Sequence, residues 1–340
     1  MQSKKLNQKV LLHDHLSGSR PMMKILKQLH ELNDKPYPFS GSPEEQENQV
    51  KALFQNAQID IVKKFSNTTG VLQTREALIL AAETYVRSRA EEGFEYCEMT
   101  IATQYLTSRG LTSKQVIEAL IEGITHGEAD YPKMETNILF TVGREIDADA
   151  AVRLVDEAAE CDRDYVVGIG LVCDEADHPP QKHIKMFKRA KQLGFKTTAH
   201  AGEWIHARPR HNDDRVSLLQ NILTAILDFR VDRIGHAIPL ASDLGLVKYV
   251  AEHKIGIEGC PGSNLSSNLI PNTKYLEIRR LLAMGVRYSL NPDDDLFMPS
   301  LDETFAICDA EYNFTEVEMA ELRQNAWASR FGHRKNHIEN

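Results

Sequence analysis

Short apolar runs alternate with longer amphipathic ones along this chain. Eight β-rich runs are predicted as strands: Val10–His13, Phe94–Ile101, Asn137–Val142, Tyr165–Val172, Lys196–His200, Arg233–His236, Lys254–Glu258 and Val286–Asn291. Several are continuously apolar rather than alternating, the pattern of parallel strands covered by helices. Helical spacing predicts Thr112–Thr125, with Thr112 or Ser113 able to cap it and Val116, Leu120, Ile121 and Ile124 forming a stripe. Ala148–Glu160, Gln181–Leu193, Val216–Phe229, Leu246–Glu252 and Tyr275–Met284 are further helical candidates, and Gly194 and Gly285 stand where helix C-termini place glycine.

Eight strand–helix units in this length predict an α/β fold, a single (β/α)8 TIM barrel over residues 1–340. An open doubly wound sheet would more often carry a glycine-rich phosphate loop after its first strand. Here Val10–His13 is followed by Asp14-His15-Leu16-Ser17-Gly18-Ser19. The interval between the first two strands breaks the rhythm with the helical patterns Met22–Leu32, Pro43–Ala57 and Thr74–Glu92. A helical insertion at about residues 19–93 is therefore expected to cover the mouth of the barrel, or else to form an extra helical layer with no part in catalysis.

Composition narrows the class. Hydrophobic residues make up 42% and charged residues 26% of 340, so a sizeable core is expected. A net charge of -9 discourages a broad nucleic-acid footprint. Five cysteines with no CxxC spacing argue for a reducing compartment rather than a disulfide framework. The apolar run near the N-terminus is short and leads into a histidine pair, so no signal peptide is expected; no membrane span is expected either, and the expected location is cytoplasmic.

Four strand ends carry metal-seeking or proton-handling side chains. His13 and His15 lie two apart on a strand and so share a face, while Asp14 points away. His200 ends the fifth run, Gly202 allows a sharp turn, and Glu203 can reach back over the mouth. His236 ends the sixth run, and Asp293 and Asp294 follow the eighth. Each alone has a plainer reading: solvated histidines, an ordinary turn, an acidic loop capping a helix. Together they read as one mononuclear site, and three imidazoles with a carboxylate suit zinc. Zinc lowers the pKa of bound water from about 15.7 to about 7, giving a hydroxide nucleophile at neutral pH. Two other zinc motifs fail: no HExxH occurs, and His126-Gly127-Glu128 has no PCxxC to accompany it.

In this order, HxH, HAGE, IGH and SLNxDD resemble the adenosine deaminase family of metal-dependent hydrolases, over essentially the whole chain. The resemblance implies a (β/α)8 barrel with one Zn2+ and a small-molecule 6-aminopurine nucleoside as substrate. It implies His13, His15, His200 and Asp293 as ligands, and Glu203 as the acid that protonates purine N1. It implies that His236 orients the attacking hydroxide, that Asp294 meets N7, and that Glu258 holds a neighbouring histidine. A carboxyl donor to N1 needs a raised pKa near neutrality.

The chain departs from that family in places. Ser17 stands where an aspartate usually contacts the ribose, and Cys173 where a glycine N–H usually approaches N3. Ala237 replaces a usual glycine, and Pro292 and Asp295 flank the aspartate pair unusually. His15, Ser17, Cys173 and Asp294 are thus the expected substrate contacts. Hydrolytic deamination of adenosine, and of 2′-deoxyadenosine, is the leading expectation. The alternatives are free adenine, a 5′-modified adenosine or aminodeoxyfutalosine as substrate, or an inactive nucleoside-binding member. The tail Gly332–Asn340 is polar and expected to fray.

Overall fold

The computed structural model describes residues 9–55, 65–178, 180–203 and 212–335. Eight strands form one sheet: β1 Lys9–His15, β2 Phe94–Ile101, β3 Glu135–Gly143, β4 Val166–Val172, β5 Lys196–Ala201, β6 Arg233–His236, β7 Gly256–Gly259 and β8 Arg287–Leu290. They lie in sequential order and every neighbouring pair is parallel. β3 is buried along its whole length, which is why its pattern reads as continuous rather than alternating.

No ladder joins β8 to β1. The circle closes instead through single contacts. The Leu12 N–H donates to Asn291 Oδ1 at 3.1 Å, the Asp293 N–H donates to the His13 carbonyl at 3.3 Å, and Asp14 and Asp293 form an isolated parallel bridge.

Between β1 and β2 lie the helices α1 Leu26–Leu32, α2 Pro43–Gln55, α3 Ser66–Thr69 and α4 Arg75–Glu91. The helices after β2 are α5 Ser113–Asp130, α6 Ala148–Ala159, α7 Ile184–Gln192, α8 Asn212–Leu223, α9 Leu244–Glu252, α10 Pro261–Ser266 and α11 Ile278–Ala283. Two more, α12 Leu301–Tyr312 and α13 Glu316–Ala328, follow β8 and had no counterpart in the periodicity reading. Thr112 caps α5 as expected, in a reciprocal capping box with Gln115. The predicted helix Pro43–Ala57 is seen to Gln55, and its last two residues lie outside the described ones.

Two predicted helices are interrupted. Val216–Phe229 is α8 running into a π-helical turn, Thr224–Phe229. Tyr275–Met284 is a 3-10 turn, Thr273–Leu276, followed by α11, with the break at Glu277 (φ 49°). Tyr312 of α12 causes the break: its hydroxyl accepts the Ile278 N–H at 3.0 Å and donates to the Thr273 carbonyl at 2.9 Å.

The barrel interior is polar at its base. Arg233 donates to both Glu98 and Glu258, and all three side chains are buried. The expected fraying of the tail does not extend to its first residues. The N–H groups of Phe331 and Gly332 donate to Glu98 and to the Tyr96 hydroxyl, both at 2.7 Å, and Arg334 pairs with Glu128. Glu98 of β2 and Glu128 of α5 are buried and need these donors, because leaving such groups unpaired is costly.

Candidate active site

The strand ends predicted to carry chemistry meet at one place. The His13 ring centroid lies 4.4 Å from that of His200, 5.1 Å from that of His236 and 5.4 Å from that of His15. His13 fits against β6 because residue 235 is glycine: a Cβ there would stand 2.8 Å from His13 Cε1. Potential ligand atoms of His13, His15, His200 and Asp293 all lie within 4.8 Å of one another. Asp293 Oδ1 is 3.5 Å from His13 Nε2 and 3.3 Å from His15 Nε2.

A shell of hydrogen bonds aims these groups. Glu258 Oε2 is 2.9 Å from His13 Nδ1, which leaves Nε2 facing the cluster. Glu258 is in turn held by Arg233 and by the Thr198 hydroxyl at 3.0 Å. Ser263 Oγ donates to Asp293 Oδ2 at 2.7 Å, which leaves Oδ1 toward the histidines. Asn264 Oδ1 is 2.9 Å from His236 Nδ1, a contact that turns Nε2 toward the cluster. Nε2 of His13 and of His236 are both buried with no hydrogen-bond partner among the described residues.

Electrostatics follow this arrangement. Burial works against charge on His13, but the carboxylates of Asp293 and Glu258 outweigh it and raise the ring to about 10. Burial would raise Glu258, yet Arg233 and His13 hold it at about 2. Burial also opposes charge on Asp293, but the neighbouring imidazoles of His13 and His15 keep it well below the usual carboxylate range. Burial lowers His236 to about 4, and burial together with the neighbouring histidines lowers His200 well below its ordinary value. Burial pushes Asp294 well above the ordinary carboxylate range.

Glu203 is buried, with Oε1 3.5 Å from His236 Nε2. Its turn is fixed by Glu175, whose carboxylate accepts the N–H groups of Gly202 at 2.8 Å and Glu203 at 2.7 Å, and also Asn221 Nδ2 at 2.9 Å. Arg144, fully buried at the end of β3, donates to the His200 carbonyl. Glu175, Arg144, Asn264 and Ser263 were not picked out from sequence. They act on backbone or on the clustered side chains across the barrel mouth, and nothing in their local spacing marks that.

Ser17 is half-buried in the turn Leu16–Gly18, beside the point where Gly18 abuts Asp294; a Cβ at Gly18 would stand 1.7 Å from Asp294 Oδ1. Cys173 is half-buried at φ 76°, with its Sγ 3.4 Å from the Tyr105 hydroxyl. Tyr105 also bonds Glu145. Left-handed backbone recurs at His236 (φ 64°), Ala237 (φ 48°) and Asp293 (φ 71°), all at strand ends around the mouth. Such conformations cost free energy and persist where surrounding structure enforces them.

A parallel barrel whose C-terminal mouth gathers three imidazoles and a carboxylate has the donor set that a metal-dependent hydrolase would need. Residues 8–339 match the family model described as adenosine deaminase, and the chain belongs to that family of hydrolytic deaminases. An adenosine deaminase from Clostridium botulinum is 30% identical over 287 residues, 84% of this chain and 81% of that protein. One from Shewanella denitrificans is 28% identical over 273 residues, 80% and 78% of the two chains. Among solved structures, adenine deaminase from Arthrobacter aurescens superposes with a TM-score of 0.80 at 24% identity, covering 95% of this chain and 94% of that one. An amidohydrolase from Burkholderia ambifaria with bound zinc gives 0.80 at 23% identity, covering 97% and 87%. The N6-methyl-AMP deaminase of Arabidopsis thaliana gives 0.76 at 22% identity, covering 97% and 93%. These structural likenesses establish the shared fold.

Proposed function

We propose that this chain hydrolyses the exocyclic amine of adenosine, and of 2′-deoxyadenosine, to give inosine or deoxyinosine and ammonia. The observation that carries this reading is the pairing of Glu203 with His236. Their side chains lie 3.5 Å apart, buried, directly beside the four-donor cluster. Hydrolysis at an aromatic amidine needs a proton acceptor for water and a proton donor for the ring on one face of the substrate.

His13, His15, His200 and Asp293 would hold one divalent cation, and zinc suits the donor set. The two orphaned imidazole nitrogens and the carboxylates that draw positive charge to His13 fit such an ion. When bound, it would act as a Lewis acid that makes water a nucleophile at neutral pH. His236 accepts the proton of the attacking water at Nε2. The water oxygen bonds to C6, and the ring electrons move to N1, where Glu203 delivers a proton. His236 then gives its proton to the amine, the C6–N6 bond breaks as the C6 hydroxyl becomes a carbonyl, its proton returns to Glu203, and ammonia leaves. Asp294 meets the N7 edge, His15, Ser17 and Cys173 line the substrate, and Glu258 keeps His13 in place. The helical insertion, residues 19–93, covers the mouth within a single domain.

A second reading is free adenine. The Cys173–Tyr105 contact at 3.4 Å supports it, because it adds side chains to a wall that glycine would leave open. Ammonia release from zinc-loaded protein on adenosine, 2′-deoxyadenosine, adenine and a 5′-modified adenosine separates the two. Preference for adenosine is the expected result, and activity on adenine alone would overturn it in favour of the second reading. Glu203→Gln is expected to lower kcat at least about 100-fold with metal content unchanged. Unchanged turnover would remove Glu203 from the mechanism.

A further inference from the structure

The donor cluster straddles the seam where β8 meets β1. His13 and His15 lie on one side and Asp293 on the other, and the seam has single contacts in place of a ladder. Asp14, between the two histidines, faces outward. Its Oδ2 accepts the Tyr85 hydroxyl at 2.7 Å and Arg89 Nη2 at 2.8 Å. Across the seam, Asp295 takes both arms of the same guanidinium, with Nη1 to Oδ2 at 2.8 Å and Nη2 to Oδ1 at 2.9 Å. Asp295 Oδ1 also accepts the Arg20 N–H at 2.6 Å. The side chains of Arg89, Asp14 and Asp295 are 1%, 0% and 1% exposed.

We propose that Arg89 is a positioning residue that sets the distance between the two halves of the metal site, by clamping Asp14 to Asp295 across the seam. The inference rests on reading His13, His15, His200 and Asp293 as metal ligands. Arg89 touches none of them. It belongs to α4, in the insertion, and acts through residues one or two positions from three of the four. A guanidinium is planar and holds two carboxylates at fixed separation, which a lysine ammonium cannot do. Metal affinity depends on ligand placement to within a fraction of an ångström.

The test compares wild type with Arg89→Lys, and with the neutral combination of Arg89→Met, Asp14→Asn and Asp295→Asn, which leaves no buried charge unpaired. Val155→Ala, in α6 away from the seam, serves as a control of ordinary destabilisation. Two quantities are read: the rate of zinc loss to a chelator, and hydrogen exchange of the Asp293 amide in metal-free protein. Arg89→Lys is expected to raise both at least tenfold while Val155→Ala changes neither beyond threefold. The neutral combination, melting near wild type, is expected to lose zinc faster as well. Zinc retention and Asp293 exchange within threefold of wild type in either folded variant would overturn the proposal. A match between Val155→Ala and Arg89→Lys would also overturn it. If wild type takes up no zinc, the metal reading fails, and the exchange comparison still decides whether Arg89 holds the seam.

Discussion

Cys173 carries a side chain on backbone at φ 76°, where L residues are strained and glycine is not. Its thiol gains one contact, to Tyr105 at 3.4 Å, and burial pushes its pKa well up, so it is no ready nucleophile. Two substitutions separate these effects. Cys173→Ala loses the thiol contact and keeps the strain, whereas Cys173→Gly loses both. The glycine variant is expected to be more stable than the alanine variant by about 1 kcal/mol, the reverse of the usual order. Urea unfolding of the pair measures it. The histidines, Glu203 and the aspartates could be read from the chain because strand ends and period-two spacing announce them. Glu175 and Arg144 could not, since their work is to bond the backbone of the turn His200–Glu203 from other strands.

Among the elements, the short 3-10 turn Pro180–His183 ahead of α7 carries a pH dependence. His183 is fully buried, and its Nε2 is 2.9 Å from the Arg144 carbonyl. Burial lowers the ring from 6.5 to about 4, so it stays neutral in the folded protein. The unfolded chain binds this proton below pH 6.5, and the folded one only below about 4. Stability from this group is therefore complete above pH 6.5 and is lost as pH falls through that window, by at most about 3 kcal/mol. His183→Gln is expected to flatten the slope, measured as the difference in unfolding free energy between pH 7 and pH 5. Strands were legible from their apolar runs, β2 and β6 to the residue. The helix predicted at Tyr275–Met284 was not, because Tyr312, far along the chain, takes up the backbone groups at Ile278 and Thr273. Local periodicity has no term for such a partner.

The molecule as a whole is fastened at its base by residues that read as an idle tail. Phe331 stacks 3.5 Å from the Arg233 guanidinium, and the backbone of Arg334 and Lys335 donates to Glu135 at 3.0 Å. Deleting residues 331–340 would strip donors from Glu98, Glu128 and Glu135, all buried. A loss of about 3–5 kcal/mol is expected, read by urea unfolding. Arg233 also reaches Glu258 and, through it, His13, so the truncation is expected to weaken zinc uptake at the proposed site as well.

The seam between β1 and β8 has a consequence for biosynthesis. Its two sides are among the first and among the last of the barrel residues to be made, and 280 positions separate His13 from Asp293. At usual elongation rates that gap corresponds to roughly 15–60 s. For the first 187 of those positions the nascent chain lacks His200, and for all of them it lacks Asp293. Ions captured early would be held by a partial site and remain exchangeable. The proposed four-donor site is thereby complete only once the last strand has been made and the barrel has closed.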